Sequence, residues 1–306
     1  MDLKIRNFEI EILKTIRKNS SSFWNGFFQI VSYFGESIVV IGIIVIIYFM
    51  YDKQFGKKLI FTLFSSLLIN NVIKGIVKYP RPFVYDPSLD PLSKNTATGY
   101  SFPSGHTQTA STLYFGIAKG SKIERKINID KFIVWVIAIA LIISVGLSRI
   151  ILAVHYPKDV IVGLILGIAS VYIFFAIYDK FSRKNEFLIN IIFLLIFFPF
   201  LFIFNKETYE LIYPYKDFYT VYSLFLGYTL GSVIDNKYVN YSCNTSIKKK
   251  IIRTIVSFLI IIVCVGGLKI VFPKNNMFFV FLRYFLSTFI TMGISPLLLK
   301  NNLFKD

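Results

Sequence analysis

Apolar residues in this chain come in long runs. Runs at about 36–51, 58–78, 104–119, 131–149, 158–178, 187–204, 218–235, 251–272 and 277–299 are rich in Ile, Leu, Phe and Val and carry few charges. A helix needs about 20 such residues to cross hydrocarbon, and a spanning segment must satisfy its backbone internally. The pattern predicts an all-α, polytopic transmembrane helical bundle of about nine spans. The run at 104–119 is short, and its Ser, Thr and Gln residues call for a protein-facing side. Ahead of these runs Leu3, Phe8, Ile12 and Ile16 recur about every fourth position with Lys and Glu between them. That spacing predicts an N-terminal amphipathic helix lying in the interface. The next segment, Phe23 to Phe34, carries Trp24 and Tyr33, which suit the headgroup level.

Composition agrees: the 306 residues are 55% hydrophobic. The net charge of +17 would suggest nucleic acid in a soluble protein. Here the Lys and Arg sit in short loops between apolar runs, so they report topology and contact with anionic lipid, and no nucleic-acid partner is expected. Loops holding Lys53, Lys57 and Lys58, then Lys119 to Lys131, Lys180 to Lys184, Lys237 to Arg253, and Lys300 and Lys305 carry more than twice the Lys and Arg of the opposite set. The opposite set includes Lys78, Arg81, Lys94, Arg149, Lys158, Lys206, Lys216 and Lys274. The richer side is assigned to the cytoplasm, which turns loop 79–103 and the region of His155 outward. The opening MDLKIRNFEIEILKTIRK lacks an uninterrupted apolar core, which predicts no cleaved leader. Abundant Lys, Asn, Ile, Phe and Tyr point to an AT-rich genome, and with it a bacterial cell (inner) membrane.

Three polar stretches lie on that outer side. KGIVKYPRP places Lys74 near a helix end and Arg81 between two prolines that hold extended chain. In GYSFPSGHT, Pro103 and Ser104 open a helix. The free N–H groups of that helix start, with Ser104 and the side-chain-free Gly105, suit an anion. His106 falls in its first turn. In SRIILAVHYPKDV, Arg149 closes one helix, Pro157 starts the next, and Asp159 follows His155 by four residues. A carboxylate there can hold one imidazole nitrogen and leave the other as a nucleophile. Each stretch alone admits a plainer reading: a snorkelling Lys, a capped helix, an Asp capping a helix beside a spectator His. Together they supply three cations, two His, one Asp and a Ser-Gly helix start. Cations in excess near hydrocarbon call for an anion, and a tetrahedral oxyanion such as phosphate fits Arg forks and a Lys point charge. The two His then suit a nucleophile and a general acid.

Lys74-(six residues)-Arg81-Pro82, Pro103-Ser104-Gly105-His106 and Ser148-Arg149-(five residues)-His155-(three residues)-Asp159 resemble the three-part signature of the type 2 phosphatidic acid phosphatase (PAP2) superfamily. The likeness covers roughly residues 1–180, with identity, spacing and order matched in three separate blocks. It implies a phosphatase core over 1–180 and a C-terminal transmembrane extension of about four helices over 181–306. It implies that His155 attacks phosphorus and forms a phosphohistidine, that Asp159 orients His155, and that His106 protonates the leaving oxygen and then activates water. Lys74, Arg81, Ser104, Gly105 and Arg149 would hold the phosphoryl oxygens, with no metal and no cofactor.

The expected substrate is a lipid phosphate or diphosphate of the undecaprenyl diphosphate, phosphatidylglycerol phosphate or phosphatidate class, met at the outer leaflet. Two rival readings keep the same pocket: a lipid phosphotransferase with a non-water acceptor, and a non-enzymatic lipid carrier. Soluble vanadium haloperoxidases share such a cradle, and many membrane spans exclude them. Binding alone needs only the cations, so the His–Asp set favours an enzyme.

Overall fold

Helices make up all the regular structure in the described residues of the computed structural model, which are 3–89, 91–92, 97–120, 129–273 and 275–305, the side chains of 182–184 apart. Lys94, Lys122, Arg125, Lys126 and Lys274, counted in the charge bias, lie outside them, as do the side chains of Arg183 and Lys184.

Six helical segments among the described residues are long and apolar enough to cross a membrane: Lys53–Tyr85, Lys131–Ile151, Pro157–Phe181, Asn185–Ile203, Ile247–Val271 and Met277–Leu298. The pair Ser22–Gly35 and Ser37–Tyr51, bent by 47°, makes seven if it counts as one span. The bundle is therefore all-α and polytopic, with fewer full-length spans than the nine apolar runs. The run at 104–119 folds as Gly105–Ala110 continuing to Gly120, which is short of a bilayer's thickness. Lys216–Ile234 is helical over 19 residues, but Tyr, Ser, Thr and Gly dilute its apolarity and most of its side chains are buried in protein. The helix that starts at Pro157 leaves helical geometry at Asn185 (φ −162°, ψ 84°). Asn185 Oδ1 there accepts from Leu188 N at 3.0 Å and caps the helix that follows.

The chain divides into two compact units, Met1–Val40 with Ile69–Ile173, and Ile41–Leu68 with Phe174–Asp306. In the first unit the short Gly105–Ala110 helix lies against the helix that starts at Pro157. A Cβ at Gly163 would come within 2.6 Å of Ser104 O, and one at Gly167 within 2.5 Å of Ser111 Cβ. This Gly-x-x-x-Gly stripe brings two backbones together where side chains would hold them apart.

Leu3–Lys18 forms the N-terminal helix. Ile10 and Leu13 pack into a cluster with Tyr79, Leu89, Ala153 and Tyr156. Glu9 meets Lys158 Nζ at 2.6 Å. The face carrying Leu3 and Phe8 stays open. The helix thus has two apolar sides: one seated on the protein and one presented outward, the side that the Leu3, Phe8, Ile12, Ile16 spacing marks.

In the second unit Lys216–Ile234 packs on Met277–Phe289, and Thr288 Oγ1 donates to Leu224 O at 2.9 Å. Three of its buried cations are held by protein groups, whereas buried Arg283 lies over the Tyr284 ring and its Nε has no hydrogen bond. Lys57 Nζ meets Glu186 Oε2 at 2.7 Å and Asn236 Oδ1 at 2.6 Å. Lys53 Nζ lies 2.6 Å from Asp235. Arg253 donates to Leu303 O and Ser242 O, both at 2.8 Å, and stacks on Tyr241 and Phe304.

Candidate active site

The helix Lys131–Ile151 ends in a tight turn that folds back on Arg149. Val154 N and His155 N both donate to Arg149 O at 3.2 Å, with Ala153 at φ 55°. A left-handed residue at a helix end satisfies the last carbonyls and reverses the chain. That turn fixes His155 beside the end of the helix that carries Arg149. Pro157 then opens the next helix, with Asp159 in its first turn.

His155 and Asp159 are both buried. Asp159 Oδ2 is shared by three groups: Ser101 Oγ at 2.5 Å, Tyr156 N at 3.1 Å and His155 Nδ1 at 3.2 Å. Ser101 Oγ also stands 3.4 Å from His155 Nδ1. Nδ1–H therefore points to the carboxylate, and the lone pair is on Nε2. Burial first, and then the positive charges of Arg81, Lys74 and Arg149, hold the His155 imidazole well below its ordinary range, so the ring is neutral. Its Nε2 lies 3.1 Å from Arg81 Nη1.

Arg81 is anchored by backbone. It donates to Val154 O at 2.9 Å, Gly99 O at 3.1 Å and Thr98 O at 2.6 Å. Lys74 Nζ donates to Tyr100 O at 2.9 Å. A Cβ on Gly105 would sit 3.9 Å from that Nζ, so Lys74 and the Gly105 helix start border one another. Ser104 caps this helix: its Oγ accepts from Thr107 N, and its own N–H donates to Asp159 O at 3.0 Å. Loop 99–104 is thus tied to the His155–Asp159 turn at two points. Arg149 is fully buried, and none of its three guanidinium nitrogens has a hydrogen-bond partner.

All eight residues picked from the sequence, Lys74, Arg81, Ser104, Gly105, His106, Arg149, His155 and Asp159, fall in the first unit. Two further groups join them that the sequence reading passed over. Ser101 lies inside the quoted GYSFPSGHT stretch, but its partner is 58 positions away. Glu36 Oε1 stands 3.8 Å from His106 Nε2, and both atoms are buried without a hydrogen bond. The signal for Glu36 is a lone carboxylate, preceded by Gly, at the head of an apolar run, where a charge is costly without a partner. Among the described residues no three His, Cys, Asp or Glu side chains gather in a set that could hold a metal ion.

Comparison with known proteins places the chain. Residues 55–183 match the PAP2 superfamily, and residues 219–303 match the transmembrane extension of PAP2 superfamily phosphatases. Phosphatidylglycerophosphatase B of Bacillus subtilis is 30% identical over 161 residues, which cover 51% of this chain and 76% of that one. The chain belongs to the PAP2 superfamily. An undecaprenyl-diphosphatase of Sulfolobus acidocaldarius is 28% identical over 162 residues, 52% of this PAP2 protein and 73% of the relative. Among solved structures, a transmembrane PAP2-type phosphatidylglycerolphosphate phosphatase from Bacillus subtilis aligns at TM-score 0.49 with 23% identity. The alignment covers 60% of this chain and 90% of that one. The PAP2 match ends near residue 183 and the extension match starts at 219, so both halves of this chain have counterparts within the superfamily.

Proposed function

We propose that this PAP2 member is a membrane phosphatase that hydrolyses a lipid phosphate or diphosphate through a phosphohistidine on His155. Residues 1–180 form the catalytic part and 181–306 the extension. The observation that carries the reading is Arg149: a buried guanidinium with no hydrogen-bond partner, near a neutral imidazole whose lone pair is directed at a second guanidinium. A buried unpaired cation is costly. A phosphoryl group would supply its missing acceptors in the fork geometry that Arg favours.

In the first step the His155 Nε2 lone pair attacks phosphorus and the P–O bond to the leaving group breaks. His106 gives its proton to that oxygen. Asp159 holds Nδ1–H and balances the positive charge that develops on the ring. In the second step His106 takes a proton from water, the oxygen attacks phosphorus, and the P–N bond breaks to free phosphate. Lys74, Arg81 and Arg149, with Ser104 and the Gly105 N–H, neutralise the equatorial oxygens, which is the main demand of phosphoryl transfer. Those cations supply the charge a metal ion would otherwise bring, so turnover is expected to survive EDTA. The Lys and Arg bias puts the site at the outer leaflet of a cell membrane. Names of relatives support the undecaprenyl diphosphate and phosphatidylglycerol phosphate classes, with phosphatidate as the third candidate.

The test is phosphate release by purified protein in detergent with EDTA, on those three lipids and glucose 6-phosphate, with His155→Ala as the blank. Release from one lipid, lost in a folded His155→Ala protein, supports the reading. Wild-type rates in His155→Ala would sink it.

A further inference from the structure

We propose that Glu36 is the positioning carboxylate of His106, the counterpart of what Asp159 is for His155. The inference rests on the phosphatase reading for its chemistry, and on packing for its geometry. Glu36 sits at the break between Tyr33–Gly35 and the helix Ser37–Ile46. A Cβ at Gly35 would fall 2.8 Å from Val145 Cγ1, 3.0 Å from His106 O and 3.2 Å from His106 Cβ. Only glycine lets this turn lie so close to the first turn of the Gly105–Ala110 helix. Tyr114 OH donates to Phe34 O at 2.8 Å and holds the turn from further along the same helical segment. The chain is thus built to bring the residue after Gly35 onto the His106 ring.

The two side chains are near neighbours but fall short of a hydrogen bond. Oε1 and Nε2 are 3.8 Å apart, and each lacks a hydrogen-bond partner. A buried carboxylate oxygen without a donor is costly. A proton on His106 Nε2 provides that donor, and a small side-chain rotation closes the gap. The charged groups around His106 are Glu36, Arg149, Arg81 and Lys74. At Glu36 burial opposes the ionised carboxylate and Arg149 favours it. Burial first, and then the three cations, oppose a second proton on His106, and Glu36 is the anion that stands nearest to offset them. With Nε2–H held by Glu36, Nδ1–H is the acid. It passes its proton to the leaving oxygen as the P–O bond breaks, and Nδ1 later takes a proton from water. Glu36 stays ionised throughout and touches no reacting atom.

The chain has only two histidines, which makes the test direct. In ¹⁵N-histidine-labelled protein, His155→Ala leaves His106 as the single imidazole signal. Adding Glu36→Gln is expected to lower the pH at which His106 titrates by about one unit or more. Glu36→Asp, with its shorter reach, should fall between. An unmoved titration in both variants overturns the proposal. If Glu36→Gln does not fold, Glu36→Asp alone decides, and an unshifted signal in it overturns the proposal equally.

Kinetics add a readout that a purely structural role would not move. With the His155 protein intact, Glu36→Gln should cost about tenfold or more in kcat/KM on an alkyl phosphate. It should cost little on p-nitrophenyl phosphate, whose leaving group needs no acid. A uniform loss across leaving groups would overturn the proposal. Activity that survives His155→Ala would instead overturn the phosphohistidine on His155 and leave the titration result standing.

Discussion

Lys57 of the second unit is buried against Glu186 at 2.7 Å and Asn236 at 2.6 Å, and Tyr228 OH secures the far oxygen of that carboxylate at 2.7 Å. Arg149 of the first unit is as deeply buried, yet its three nitrogens meet no acceptor. Both cations sit in helices of one polytopic chain, so hydrophobic surroundings alone do not explain the difference. A buried charge with a dedicated counter-ion is a finished structural element. A buried guanidinium whose nitrogens meet no acceptor keeps its demand for one that arrives later.

The contrast breaks most sharply under matched substitutions. Arg149→Met should lower kcat/KM by about a thousandfold, the scale of losing one guanidinium from a phosphoryl-transfer site. Thermal unfolding in detergent should be little changed, because the buried guanidinium makes no hydrogen bond and only its longer-range attraction to Glu36 is lost. Lys57→Met should do the reverse. It leaves Glu186 without its cation and should cost about 3 kcal/mol of stability, while activity per folded molecule holds. Lys57→Met with Glu186→Met should recover much of that loss. A destabilised Arg149→Met, or an inactive but stable Lys57→Met, would erase the distinction.

The pH profile sharpens the same point. Burial and the surrounding cations depress His155, so the neutral ring that the proposed attack needs persists as pH falls below the ordinary imidazole range near 6.5. After correction for ionisation of the substrate, the acid limb of kcat/KM should lie below that range. Arg149→Met removes one depressing charge, so the residual activity should show the limb moved to higher pH by about half a unit to one unit. A limb at or above 6.5 in the wild type would mean that the charges around His155 are compensated after all. Ser101→Ala tests the carboxylate side. Ser101 Oγ competes with His155 Nδ1 for Asp159 Oδ2, and its loss should cost about tenfold or less in kcat, the scale of one charge-assisted hydrogen bond.

The two regions also differ in how far their sequence could be read. Lys74, Arg81, His106, Arg149, His155 and Asp159 were legible because loop spacing and helix ends fix them in short blocks. The nine apolar runs were legible as helices. Apolarity alone could not tell that 104–119 stops short of a bilayer, or that Lys216–Ile234 is largely sheathed by protein. Glu36 was not legible as a neighbour of His106. Its link to His106 runs through the Gly35 contact, which exists only once the two segments pack. The face of the Leu3–Lys18 helix was half legible: Phe8, Ile12 and Ile16 mark the open side, whereas Glu9, Ile10 and Leu13 make the protein contact. A four-residue repeat cannot say which of two apolar stripes faces protein.

Lys158 supplies the smallest and most diagnostic effect, because it is a paired cation three positions from His155. Its Nζ meets Glu9 Oε2 at 2.6 Å and lies over the rings of Tyr79 and Tyr156, and its backbone N–H donates to Glu9 Oε1 at 2.9 Å. If nearness to the nucleophile decided a cation's role, Lys158→Met would rank with Arg149→Met. If pairing decides it, Lys158→Met should lose about 2 kcal/mol of stability, because buried Glu9 is left without its cation. The backbone bond to Glu9 would remain to seat the N-terminal helix. Activity should fall no more than about threefold, through slight loosening of the 152–158 turn. Unfolding temperature and kcat/KM on one preparation of each variant settle the ranking. A thousandfold loss at Lys158 would show that Arg149 owes its importance to position and not to its missing partner.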